Sequence, residues 1–190
     1  MKITAIYGSP RQNGNTDRLL DAFLASVNTS IHAIEPFYLR DLSFVPCTEC
    51  GGCNSTGKCV IDDDMNLLYP NFIDSDIVVL ASPVFFYGLN ALAKAMVDRA
   101  QCFWALKYLL KTRLSDKRNR PAKGVFLTVG GARGKKNFDG ILLTLRYFFD
   151  ALDMPFSHHL AFREIDTQGA VTRHPRAIIE AQTLAQELAG

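Results

Sequence analysis

Residues 2–20 read KITAIYGSPRQNGNTDRLL. Lys2 to Tyr7 is a short apolar-rich run halted by Gly8, and from Thr16 to Val27 the residues Leu19, Leu20, Phe23, Leu24 and Val27 recur at helical spacing. The chain therefore opens as strand, loop, helix. The loop, Gly8 to Thr16, offers hydroxyl and amide donors on Ser9, Asn15 and Thr16 and a cation on Arg11, ahead of the unpaired backbone N–H groups of a helix start. Such a loop suits a phosphate. It has neither the lysine of a P-loop nor the three-glycine dinucleotide fingerprint, so a phosphomonoester fits better than ATP or NAD. The plainer alternative is a polar turn whose helix is capped by Asn15 or Thr16.

The same alternation continues outward from this stretch. Ile31 to Leu39 has the branched and aromatic content of a second strand, and Arg40 to Ile61 then shows neither period. A loop of about 20 residues is uncommon in a compact domain and is usually functional. Asp62, Asp63 and Asp64 place negative charge at the start of a helix carrying Met65, Leu68 and Phe72. Asp76 to Ala81 is apolar without alternation, as in a strand buried on both faces of a parallel sheet. Helix formers fill 89–112, Val125 to Val129 is another buried strand, 138–152 a helix, and a fifth strand falls within Phe156 to Ile165. Pro175 suits the first turn of a last helix reaching about Leu188. Strands separated by single helices give right-handed crossovers, so the expected fold is one α/β domain over 1–190, an open doubly wound five-stranded parallel sheet with helices on both faces.

Composition narrows the function classes. Over 190 residues, hydrophobic side chains at 48% can offset the ordering entropy of a fold, and a net charge of +2 gives no electrostatic footprint for nucleic acid. The apolar runs fall far short of the roughly 20 residues that span a bilayer, and no signal-peptide pattern opens the chain, so a cytoplasmic protein with no membrane partner is expected. Five cysteines in such a compartment are read for metal or redox chemistry before disulfides.

Two further loops belong to the same sheet edge as the first, where ligands of open α/β sheets bind. Ser82 to Gly88 holds Pro83, Val84, Phe85, Phe86 and Tyr87, three aromatics that call for a flat ligand or a neighbouring subunit. Gly130 and Gly131 leave the backbone bare after the fourth strand. Together the loops favour a planar phosphorylated cofactor. Gly8 to Thr16 with Ser82 to Gly88 resembles the flavodoxin-like, NAD(P)H-dependent FMN reductase family over nearly the whole chain. The resemblance implies strand order 2-1-3-4-5, with FMN at the point where that order reverses. It implies that Ser9, Arg11, Asn13, Asn15 and Thr16 hold the FMN phosphate. Pro83, Val84, Phe85, Phe86, Tyr87 and Gly88 would wrap the ribityl chain and ring, and Gly130 and Gly131 the ring's other edge.

Cys47, Cys50, Cys53 and Cys59, with two, two and five residues between them, can converge on one centre, and Gly51, Gly52 and Gly57 let the backbone wrap it. A 4Fe-4S cluster, a structural zinc and four free thiols are all compatible with that spacing. The pattern is similar to that of the iron-sulfur flavoprotein branch of the family, which implies a 4Fe-4S cluster, electron donation by NAD(P)H or a ferredoxin, and a homodimer or homotetramer. A non-catalytic electron carrier or redox sensor is the alternative function, and a zinc-stabilised binding module a third. Cys102, among Phe103, Trp104 and Leu106, reads as a buried small hydrophobe. His32, His158, His159 and His174 have no motif partner. Asp98 and Arg99 read as a structural pair. Lys107, Lys111, Arg113, Lys117, Arg118, Arg120 and Lys123 read as a solvated basic loop, with a nucleotide phosphate or an acidic carrier as the sharper alternative.

Overall fold

The computed structural model describes residues 1–118 and 120–189; of Lys117 it describes the backbone only. Five strands form one sheet: β1 (Lys2–Tyr7), β2 (Ala33–Tyr38), β3 (Ile77–Ala81), β4 (Lys123–Val129) and β5 (Phe156–Phe162). They lie in the order β2-β1-β3-β4-β5, every neighbouring pair parallel. The expected order 2-1-3-4-5 is thus the observed one. β2 sits at an edge, where Pro36 forfeits a ladder donor at little cost.

Helices cover both faces: α1 (Asn15–Leu24), α2 (Met65–Asp74), α3 (Ala91–Arg99), α4 (Gln101–Trp104), α5 (Asp139–Ala151) and α6 (Ala177–Ala189). Consecutive β3 residues explain the unbroken apolar run there. Ile77, Val79 and Ala81 enter the core shared with Leu19, Phe23 and Leu184 of α1 and α6, while Val78 and Leu80 enter the core shared with Phe72, Met96 and Phe149 of α2, α3 and α5. The second loop adds a two-stranded hairpin, Val84–Phe85 with Gly88–Leu89. No helix among the described residues is long and apolar enough to cross a membrane.

Two expectations need correction. The helix expected over 89–112 is broken into α3, α4 and a π-helical turn, Ala105–Leu109. The basic stretch that follows is not simply solvated. Lys107 Nζ pairs with Asp150 and Asp153 at 2.9 and 3.1 Å, Arg113 with Asp153, and Arg120 with Asp76. Arg118 donates to the carbonyls of Phe72, Ile73, Leu152 and Asp153, joining the C-terminal ends of α2 and α5. Cations there answer the negative ends of two helix dipoles. The side chain of Lys117 lies outside the description.

Two of the histidines serve local structure: His32 Nδ1 meets the N-terminal amine, and His174 Nδ1 accepts from the N–H groups of Arg176 and Ala177 at the start of α6. Burial, then the neighbouring His158, lowers the His159 pKa.

Candidate functional site

β1, β3 and β4 all end on one edge of the sheet, and the loops leaving them surround a cavity of about 270 Å³. One wall is Ser9, Pro10, Arg11 and Thr16, and the opposite one Pro83 to Phe85; Gly130, Gly131 and Asp166 close the side. Ser9 Oγ accepts from the Arg11 N–H at 3.1 Å and donates to the Arg11 carbonyl at 3.0 Å, closing the loop on itself. No side chain caps α1, whose N-cap position is Gly14. Among the described residues the Arg11 guanidinium and the Thr16 hydroxyl have no hydrogen-bond partner in the protein, although both residues line the cavity. An uncapped helix start, a free cation and a free hydroxyl are groups of the kind that hold an anion.

Asn15 also lines the cavity, but its side chain is committed elsewhere. Nδ2 donates to the Thr167 carbonyl at 2.9 Å and Oδ1 accepts from the Val171 N–H, so the residue pins the segment after β5 rather than facing a phosphate. Asp17, buried beneath the loop, pairs with Arg40 at 3.0 Å, and Arg40 also donates to the Ser9 carbonyl. Burial raises the Asp17 pKa, and Arg40 works against that shift.

A second cavity, about 420 Å³, is lined by Cys47, Cys50, Cys53 and Cys59 together with Arg99, Cys102 and Trp104. All five cysteines are free. Gly57 turns at φ +67°, and a Cβ there would meet Leu106 Cδ1 at 2.6 Å. The Glu49 N–H donates to Cys47 Sγ at 3.5 Å. Among the described residues no three Cys, His, Asp or Glu side chains converge on the position of one ion. Cys102 is buried, and its thiol is pushed up to about 12 by that burial and by Cys59 and Cys53 nearby.

The family model described as NADPH-dependent FMN reductase matches residues 1–162. The chain belongs to that family. It is 32% identical over 133 residues to an iron-sulfur flavoprotein of Methanosarcina thermophila, a stretch covering 70% of this chain and 65% of the relative. It is 39% identical over 99 residues to an iron-sulfur flavoprotein of Archaeoglobus fulgidus, covering 52% and 45%. The matched stretches thus span about half to two thirds of those relatives' length. A solved FMN-dependent NADH-azoreductase of Bacillus anthracis in complex with FMN superimposes with a TM-score of 0.69 at 14% identity, covering all of both chains, and shares the fold.

Within this FMN reductase family member, the cavity brings together Ser9, Arg11, Asn15, Thr16, Pro83, Val84, Phe85, Gly130 and Gly131. It does not bring in Asn13, Phe86, Tyr87 or Gly88. Asn13 sits in the left-handed region with its carbonyl accepting from Arg18 and Gln168. Phe86 and Tyr87 form the hairpin tip, both left-handed, and Phe86 is fully exposed at 103%. Gly130 and Gly131 are needed chiefly by protein neighbours. A Cβ on Gly130 would collide with Asn137 Nδ2, and one on Gly131 would press on Asp166 at 3.1 Å.

Sequence reasoning missed Asp166, Asn90 and Arg40. Asn90 was legible as an N-cap: its Oδ1 accepts from the Leu92 and Ala93 N–H groups of α3, and its Nδ2 donates to the Gly8 carbonyl at 2.6 Å and to Ser82 Oγ at 3.0 Å. The expected Asp98–Arg99 pair is not formed. Adjacent helix residues point apart, so Asp98 pairs with Lys94 and Arg99 with Asp63.

Proposed function

We propose that this chain is an FMN-dependent oxidoreductase that draws electrons from NAD(P)H or a ferredoxin and passes them to an acceptor through FMN and a 4Fe-4S cluster on Cys47, Cys50, Cys53 and Cys59. The observation that carries the reading is the first cavity. An uncapped helix start with Arg11 and Thr16 faces the apolar wall Pro83 to Phe85 across bare glycine backbone. FMN has the same division, a phosphate at one end and a flat ring at the other. The cavity lies just under the roughly 300 Å³ at which small-ligand clefts begin, so it encloses only part of such a molecule and leaves the remainder at its mouth. A bound flavin supplies hydride acceptance and both one- and two-electron exchange. The residues of the chain bind, orient and shield it, and no side-chain acid or base is called for.

The second cavity supports the cluster. All four cysteines line that cavity, and a four-iron centre takes one thiolate at each iron. The names of the two archaeal relatives support the same reading. Such a cluster supplies one-electron exchange. Five free cysteines suit a reducing, cytoplasmic compartment. The exposed tip Phe85 to Tyr87 supports a homodimer or homotetramer that covers it.

The test is the visible spectrum of protein purified without oxygen, with iron, zinc, sulfide and flavin counted per chain. Flavin bands over broad iron-sulfur absorption, bleached by NAD(P)H, are expected; a colourless protein overturns the reading. Arg11→Ala and Thr16→Val should each weaken FMN at least tenfold and leave riboflavin, which lacks the phosphate, unaffected. Equal losses for both flavins would remove the phosphate from this loop. Steady NAD(P)H consumption with an artificial acceptor is expected, whereas reduction that stops after one equivalent would mark a carrier or sensor.

A further inference from the structure

Arg99, the last residue of α3, is the largest side chain fully withdrawn from water, 1% exposed, and it spends its donors on the cysteine loop. Nη1 donates to the Val45 carbonyl at 2.8 Å and to Asp63 Oδ2 at 2.6 Å. Nη2 donates to Asp63 Oδ1 at 3.0 Å and to the Ile61 carbonyl at 3.4 Å, and Nε to the Tyr69 hydroxyl at 3.2 Å. All five N–H donors of the guanidinium are occupied. Val45 stands two residues before Cys47 and Ile61 two residues after Cys59, so one buried cation ties both ends of the cysteine segment to a core helix. Asp63 tightens the same knot by accepting from the Val45 N–H at 3.1 Å.

Arg99 itself lines the cysteine cavity, and the Tyr69 hydroxyl that accepts from its Nε donates back to the Arg99 carbonyl at 3.4 Å. A buried ion pair is a poor route to stability alone, since a well-packed apolar pair often does as well. What an apolar pair cannot supply is a donor to each of the two loop carbonyls.

We infer that Arg99, braced by Asp63 and Tyr69, is a positioning residue for the cluster: it fixes both ends of the ligand loop and so holds the four cysteines where the cluster would take them. The inference rests on the cluster reading above.

The experiment uses the full chain purified without oxygen, with iron, sulfide and flavin counted. The paired change Arg99→Met with Asp63→Leu removes the knot without stranding a charge, and should retain under half the wild-type iron while binding flavin in full. Tyr69→Phe leaves the Arg99 bonds to Val45, Ile61 and Asp63 in place and should keep its iron. Full iron in the paired variant, or a loss in Tyr69→Phe as large as in the paired variant, overturns the inference. Wild-type protein without iron overturns the cluster reading itself, before any variant is compared. If the paired variant does not fold, Arg99→Lys, which keeps the charge but lacks the fork that reaches both carbonyls, should show the same selective loss of iron, and full iron there overturns the inference.

Discussion

Gly130 offers the sharpest test of the proposed flavin cavity's wall. Its backbone is held from both sides: its N–H donates to the Phe162 carbonyl at 2.9 Å, and its carbonyl accepts from the Ile165 N–H at 3.2 Å. A Cβ at this position would fall well inside the contact distance of Asn137 Nδ2 and would touch Phe138 Cε1 and Val84 Cγ2 at 3.4 Å. Asn137 is buried and its Nδ2 has no partner among the described residues, so it is held by packing alone. Gly130→Ala therefore overpacks a closed space, at a cost of about 2 kcal/mol within the usual 1–3. For a chain of this size that lowers Tm by about 4–8 °C. Thermal unfolding followed by circular dichroism, with and without saturating FMN, reads the change. Asn137→Ala removes the obstacle, so the double variant should recover most of the loss, a coupling of at least about 1 kcal/mol. Wild-type Tm in Gly130→Ala, or a loss that persists undiminished in the double variant, would refute the reasoning.

Arg118→Ala should cost about 3 kcal/mol, because carbonyls at the ends of α2 and α5 lose their donor, and should leave flavin affinity intact; calorimetry and a flavin titration check both. Cys102→Ala should lose about 1 kcal/mol and no iron, since the thiol acts as buried apolar volume; an iron count matching that of a Cys59→Ala variant would make Cys102 a ligand. Burial alone would raise the Asp63 carboxyl, but the bonds from Arg99 and from the Val45 and Met65 N–H groups outweigh it and hold the pKa below the ordinary 3.8. That stabilisation is fully present above 3.8 and is lost as pH falls through the lower folded value. Acid unfolding should accordingly be steeper below 3.8 in wild type than in Asp63→Asn, and equal slopes would count against it. Asn90→Ala removes the α3 cap and the donor to Gly8, so about 2 kcal/mol and part of the FMN affinity should go while the iron count stays.

The sheet was legible because its three central strands are buried on both faces. The run Ile77 to Ala81 has no polar break, and only a central parallel strand asks for that. The first loop was legible as a cavity wall for a related reason: it leaves a strand end just before an amphipathic helix, on the edge of the sheet where such cavities form. What stayed hidden depends on contacts distant in sequence. Nothing around Asn15 announces that Thr167 and Val171 would take its amide, and nothing around Arg118 announces carbonyls at 72 and 152. The hairpin explains the aromatic loop in a way composition could not. Phe85 lines the cavity, but the two-residue tip turns Phe86 and Tyr87 away, and the Tyr87 carbonyl packs so near Gly140 that a Cβ there would sit 2.7 Å from it.

The two cavities share no lining residue, yet α3 joins them. Its cap, Asn90, holds Gly8 and Ser82 at the base of the first cavity's loops, and its last residue, Arg99, holds both ends of the cysteine loop. Nine residues at about 1.5 Å each span roughly 13 Å. A helix this short is marginal by itself, so its length and direction are kept by those end bonds and by Ala93 and Met96 in the core. Helix α3 is therefore one link between the proposed flavin site and the proposed cluster site, and neither of its end residues belongs to a recognisable cofactor motif; Arg40, just ahead of the cysteine loop and bonded to the Ser9 carbonyl, is another. An exchange in either binding loop can alter what is held. A change at Asn90 or Arg99 acts instead on how the two sets of loops stand to one another, which is the quantity that an electron passing between the proposed centres would feel.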